Sequence, residues 1–362
     1  MNKKILAVLA VLIAFLAAFS AAVAVNAKPE RVGEVYTIDN SVSNSVLRFD
    51  RGPDGSLTAS GTFSTGGMGT GTALHSQGAV VLSEDGKWLL VVDAGSNQIT
   101  VFQVKYDTLV FTDIEGSHGT TPISLAINDN LVYVLNSGGT PNIAGFWLSR
   151  TGMLTYLSGS NEPLSGIASN SPEQIGFNPE GNVLAVTEEG SNKIDTYTID
   201  DGVASAPMTT TSSGSGPYGF AFNSKGYLIV SEAGTESASS YAVSHSGTLT
   251  TLSGAISNGP SGTPCWVAIT GNGKIAYTAN GGVGTISIYA ISHKGMISLS
   301  GSVAASVPAP ALDLALTRGS EFLYVLNGGA GITGFEVHSD GSLSKVTTIS
   351  GLPASTTGLA AT

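Results

Sequence analysis

Four runs of consecutive apolar residues recur along the chain: Leu89–Val92, Val183–Val186, Tyr227–Val230 and Phe322–Leu326. Each is short and bounded by turn residues, the pattern of a strand buried on both faces. Five-residue stretches precede such runs or repeat their spacing: "GAVVL" (78–82), "ISLAI" (123–127), "YGFAF" (218–222), "CWVAI" (265–269) and "LDLAL" (312–316). Prolines at 122, 172, 217, 264 and 310 stand just ahead of strands of this second kind, where a strand tolerates them. The pattern predicts hairpins of an inner strand and a second strand buried on both faces.

The hairpins belong to a longer repeat. An aromatic residue ends a further alternating strand seven times, at Phe49, Phe102, Phe146, Tyr197, Tyr241, Tyr289 and Phe335. Ahead of each, the buried strand ends in an acid or amide: Asp39, Asp93, Asn136, Glu188, Glu232, Asn280 and Asn327. A period of this length, with four strands per unit, predicts an all-β, seven-bladed β-propeller with four-stranded blades. The first unit lacks an inner strand, because Glu34–Asp39 already reads as a second one. The closing "GLAAT" (358–362) supplies it, so the C-terminal strand is expected to pair into the first blade and close the ring.

Composition narrows what such a ring could meet. Only 11% of residues are charged and the net charge is −11, which disfavours nucleic acid and anionic membrane as partners. Residues 1–27 begin with Lys3 and Lys4 and continue apolar to Val25. That is the pattern of a secretory signal peptide, or of an uncleaved anchor. Residues 28–362 then form one exported propeller domain: secreted, periplasmic or on the cell surface. Membrane contact is expected only through that anchor. Cys265 is the only cysteine, so no intrachain disulfide forms. A monomer is expected.

In a blade, inner-strand starts and second-strand ends share one face, around the mouth of the central channel. Glu173 and Gln174 therefore stand across from Glu188 and Glu189. His75, Gln77, Tyr218 and Trp266 lead into or begin inner strands on the same side, joined by Asp93, Asn136, Glu232 and Asn280. A convergent polar mouth is the default ligand site of a closed ring. Three readings of the acids and amides stay open. They could cap turns with side-chain hydrogen bonds, hold Ca²⁺ or another divalent cation as hard oxygen ligands, or act as a general acid or base. His245, His293 and His338 fall in turns on the opposite face. The glycine-rich stretch 66–78 reads as a flexible rim loop. No G-x-S-x-G, H-E-x-x-H or C-x-x-C motif is present.

With these residues in hand, the chain resembles the lactonase family of seven-bladed propellers, which includes 6-phosphogluconolactonases and carboxymuconate cyclases. "SEDGKWLLVVDAGSNQITVFQV" (83–104) is similar to that family's second blade and "IGFNPEGNVLAVTEEGSNKIDTY" (175–197) to its fourth. "GTPCWVAITGNGKIAYTANG" (262–281) is closer to an exported, lactonase-like branch. Where the family tends to carry H-x-H this chain has His75-Ser76-Gln77, and where it tends to carry P-R-H this chain has Pro172-Glu173-Gln174. An acid thus replaces an arginine suited to grip phosphate or carboxylate. The resemblance implies a hydrolase of a neutral sugar or hydroxy-acid lactone. Glu188 would then be the base, Asp93 would position water, and His75 or Gln174 would donate to the oxyanion. The alternative is a non-catalytic propeller whose mouth binds a glycan, a cation or a partner protein. A metal-dependent lactonase is a third expectation.

Overall fold

The computed structural model describes residues 30–165, 171–260, 262–328 and 331–362. The expected signal segment, residues 1–27, lies outside the described residues. Residues 32–362 form one compact unit of seven antiparallel sheets, numbered here as blades in chain order after the N-terminal one.

Blade 4 shows how sequence makes a blade. Pro172–Phe177 is the inner strand, Val183–Glu188 the second and Lys193–Asp200 the third. The turn between the first two is closed by Asn178, whose Oδ1 accepts the Asn182 and Val183 N–H groups at 3.1 and 2.9 Å. Gly181 supplies the positive φ that this turn needs. In blade 5, Asn223 Oδ1 repeats the device on the Lys225 and Tyr227 N–H groups. The outer edge of blade 4 is shared by two short strands, Val203–Ala204 and Met208–Thr211.

The apolar runs are the second strands, as the pattern predicts. Trp88–Asp93, Val183–Glu188, Leu228–Glu232 and Phe322–Asn327 are buried along their whole length. Residues from neighbouring blades meet there in shared clusters, as when Leu184 and Val186 pack with Tyr133 and Leu135. The seven repeat aromatics are all buried on third strands, none more than 3% exposed.

Blade 1 is completed by the end of the chain. Thr357–Ala361 pairs antiparallel with Gly33–Ile38, aligning Ala360 with Tyr36 and Thr357 with Ile38. The Thr362 N–H adds a bond to the Glu34 carbonyl at 2.9 Å. This strand packs beside the inner strands Val80–Leu82 of blade 2 and Ala311–Leu316 of blade 7, so the ring closes. Among the described residues, no helix is long and apolar enough to cross a membrane.

Candidate functional site

The inner strands place the site. Most are buried at their first residues and only half-buried at their last two, as in Pro217–Phe222, Pro264–Ile269 and Ala311–Leu316. The channel is therefore tight on the side where inner strands begin and wider on the opposite side.

The expected rim loop is what tightens it. Residues 75–78 drop into the channel and bond to four other blades. Ser76 Oγ donates to the Ile123 carbonyl at 2.7 Å, and the Gln77 carbonyl accepts the Ser124 hydroxyl at 2.6 Å. The Gln77 N–H reaches the Glu173 carbonyl, and the Ser76 carbonyl accepts Trp266 Nε1–H at 3.2 Å. The Tyr218 hydroxyl donates to the His75 carbonyl. Gln77 then spans from blade 2 to blade 6: its Nε2 donates to the Val267 carbonyl at 2.8 Å and its Oε1 accepts the Val267 N–H at 3.0 Å. Gln174 treats Phe220 in the same way, at 3.0 and 2.6 Å. Both carboxamides, expected to bind ligand, satisfy inner-strand peptides and seal the channel. Fit is close: a Cβ on Gly219 would meet the Cys265 carbonyl oxygen at 2.4 Å and Gln77 Oε1 at 2.5 Å.

The ring of acids and amides is arranged differently from the expected open mouth. Asp93, Asn136, Glu188, Glu232 and Asn280 are each 0% exposed. Each lies at or near the end of a second strand and holds the connection arriving from the preceding blade. Asp93 Oδ1 accepts Asn44 Nδ2–H and the Thr65 hydroxyl, at 2.9 and 2.5 Å, while its Oδ2 accepts the Thr100 hydroxyl at 2.7 Å. Glu188 accepts the Ser165 N–H at 3.0 Å and the Ser165 and Ser191 hydroxyls, both at 2.7 Å. Asn136 donates to the Ser117 carbonyl, Ser212 donates to Glu232, and Asn258 donates to Asn280. Turn and connection capping accounts for these five side chains. The sequence shows residue type at each strand end but not the partner, which arrives from a different blade.

What the mouth does bring together is a smaller cluster: Glu173, Glu189, Tyr218, Cys265, Trp266 and the backbone of His75. Glu173 is 9% exposed. Burial, then the nearby Glu189 carboxylate, pushes its carboxyl up to about 9, against a hydrogen bond with Tyr218 that lowers it. Glu189 is half-buried and raised by burial alone. Burial, with the same two carboxylates adding to it, pushes the Cys265 thiol up to about 12. Tyr218 and Trp266 pack edge to face with centroids 5.4 Å apart and form the floor. His75 has φ 57° and its side chain is exposed at the rim. Glu189 and Cys265 are the members of this cluster that sequence reasoning does not single out as ligands; for Glu189 the position across from Glu173 is read, but no role. Its signal is the doubled acid Glu188-Glu189, of which one points between blades and the other toward the mouth. Among the described residues, no three His, Cys, Asp or Glu side chains come together as a metal site.

The fold and this mouth define a seven-bladed propeller closed by its own C-terminal strand, with an acid-rich cluster over a sealed channel. Residues 35–160 match the family model Lactonase, 7-bladed beta-propeller, so this part of the chain is similar to that family. No curated protein matches it by sequence. Solved structures share its fold at low identity. A protein from Lactobacillus plantarum is 19% identical with a TM-score of 0.74, over 92% of this chain and 100% of that one. A candidate 6-phosphogluconolactonase from Bacteroides fragilis is 16% identical with a TM-score of 0.70, over 91% and 98%. The periplasmic gluconolactonase of Pseudomonas aeruginosa is 18% identical with a TM-score of 0.65, over 90% and 98%.

Proposed function

We propose that this propeller is an exported lactonase-type hydrolase acting on a neutral sugar or hydroxy-acid lactone at the Glu173 mouth. The observation that carries this reading is a pair of carboxyls in unequal environments. Glu173 is buried and keeps its proton to about 9, whereas Glu189 is half-exposed and raised only by its own burial. Two carboxyls whose surroundings separate their protonation can divide acid and base roles between them.

At neutral pH, Glu189 takes a proton from water as the water oxygen attacks the lactone carbonyl. Glu173 donates a hydrogen bond to the developing oxyanion and then its proton to the ring oxygen as the acyl–oxygen bond breaks. The product is the open hydroxy acid, and one water is consumed. Tyr218, whose hydroxyl donates to the His75 carbonyl, lies beside Glu173 and walls the site. Among the described residues no Lys or Arg joins the cluster, so a phosphorylated or dicarboxylate lactone would find no cationic partner there and would be repelled by Glu189. The family match and the gluconolactonase fold neighbour support the reaction class; the apolar run at 5–25 and that neighbour's periplasmic setting support export. In this reading Glu188 and Asp93 act as scaffold, and His75 contributes a rim side chain.

The test is a pH-stat screen of neutral, phosphorylated and dicarboxylate lactones with and without Ca²⁺. Neutral lactones should turn over, and Glu173→Gln or Glu189→Gln should lower kcat by roughly a hundredfold or more, the scale of lost acid–base catalysis. Faster turnover of a phosphorylated lactone, or full activity in both variants, would sink the reading. Saturable carbohydrate binding without turnover would favour the binding alternative, which needs only the same polar mouth.

A further inference from the structure

Behind the glutamine seal the channel widens into a cavity of about 560 Å³ that reaches the opposite face. Its size is within the range of small-molecule pockets. The walls combine apolar side chains such as Leu125, Ile127, Phe177, Phe222 and Leu359 with polar groups that make up the larger share of the exposed lining. Gln77 and Gln174 form its closed end, with their carboxamides already committed to Val267 and Phe220. The cavity is thus a blind pocket, separated from the Glu173 cluster and independent of any activity there.

One charged side chain lies near the closed end. Asp313, on the blade 7 inner strand, is 2% exposed and belongs to the cavity wall. Register places it beside the seal: Ala311 faces Asn327 as Pro264 faces Asn280, so Asp313 is level with Trp266, next to the Val267 that Gln77 grips. Its Oδ1 accepts the Leu314 N–H at 2.8 Å and its Oδ2 the Leu359 N–H at 2.9 Å. A carboxylate has room for about four donors, so each oxygen retains accepting capacity after these bonds. Among the described residues no Lys, Arg or His lines the cavity, and Glu84 adds a second acid at its outer rim.

We propose that this cavity is a second binding site, for a small organic cation: a protonated amine carried on a compact apolar body. The ammonium would donate to Asp313 and the apolar body would rest against Leu125, Phe177 and Phe222. Burying one charge against a carboxylate that lacks a cationic partner offsets desolvation far better than burying either alone. Glu84 draws cations toward the entrance and turns anions away.

Three probes of one shape separate the possibilities: cyclohexylammonium, cyclohexanol and cyclohexanecarboxylate, each titrated into the full chain by calorimetry at pH 8. The ammonium should bind with one site per chain, the alcohol roughly tenfold or more weakly, and the carboxylate not at all. Asp313→Asn should weaken the ammonium by roughly tenfold or more. Because that variant disturbs two backbone bonds, Val81→Phe provides a second check, filling the cavity from the blade 2 wall without touching Asp313. It should abolish binding of the ammonium and alcohol alike. Glu173→Gln, at the other mouth, should leave every isotherm unchanged. Equal binding of alcohol and ammonium, unaltered affinity in Val81→Phe, or no binding of any probe would overturn the proposal.

Discussion

Asp195 breaks a rule that four other blades keep. The acid or amide ending the second strand bonds a hydroxyl on the third strand, two residues before the buried aromatic. The hydroxyl belongs to Thr100 with Asp93, Ser239 with Glu232, Ser287 with Asn280, and Thr333 with Asn327. In blade 4 that position carries a second carboxyl. Burial first, then the nearby Glu188, pushes Asp195 up to about 7, while Thr209 donates to Asp195 Oδ1 at 2.7 Å. Its folded form therefore holds a proton more tightly than the unfolded chain does. The cost of burying it is absent below pH 4 and grows as the pH rises through 7. Asp195→Thr should accordingly raise Tm by several degrees at pH 8 and change little at pH 4, checked by calorimetry at both. A gain equal at both pH values would mean that packing and not the raised carboxyl is responsible. The repeated hydroxyls and acids are readable in the sequence as types at matched positions. That they bond one another follows only from the register, which sets Asp195 opposite Val186 and one diagonal step from Glu188.

At the scale of elements, the strand Thr357–Ala361 carries the closure of the ring. It was legible because the first repeat begins with its second strand and the tail has the inner-strand rhythm. The channel seal was not legible for the opposite reason. A glycine-rich run such as 66–78 has no periodicity that distinguishes a solvated rim from a segment packed in a channel. Its partners are Val267 in blade 6 and Glu173 in blade 4, far away in sequence. Removing residues 357–362 leaves Gly33–Ile38 as an open edge and exposes Tyr36 and Val35, both 0% exposed in the closed ring. The truncated chain should lose cooperative thermal unfolding and self-associate on size-exclusion chromatography. A synthetic peptide of residues 351–362 should restore a monomeric, cooperative species. A truncated protein that stays monomeric with unchanged Tm would show that the strand is dispensable. The seal is equally open to test. Gly219→Ala drives a methyl into the Cys265 carbonyl and Gln77, and overpacking of this kind costs about 1–3 kcal/mol; chemical denaturation would measure the loss.

The whole molecule inherits an unusual pH response from these carboxyls. Glu173 is raised to about 9, and Asp195 and Asp313 to about 7, in each case chiefly by burial. Asp93, Glu189 and Glu232 are raised by the same cause. Each binds protons more tightly folded than unfolded, so each favours the folded state at low pH. That advantage disappears as pH climbs from the ordinary carboxylate range toward the raised values. Groups held below their ordinary value are few and lie at the surface, Asp54 and Asp340 among them, where their contribution is screened. The balance predicts a Tm that is highest in mildly acidic buffer and declines steadily from pH 5 to pH 9. The loss in stability should be on the order of several kcal/mol, since a tenfold tighter hold on one proton is worth about 1.4 kcal/mol. Salt distinguishes this from simple repulsion within a chain of net charge −11: screening would flatten a surface effect but not one set by burial. Differential scanning calorimetry across that range at low and high ionic strength supplies the measurement. A slope that vanishes in high salt would assign the response to net charge. A slope that persists, and that flattens between pH 7 and 9 in Glu173→Gln because Glu173 alone of the three still titrates there, would locate that part of it at the mouth. In that case the carboxyl proposed to donate a proton in catalysis is the same one that costs the fold its stability when the proton leaves.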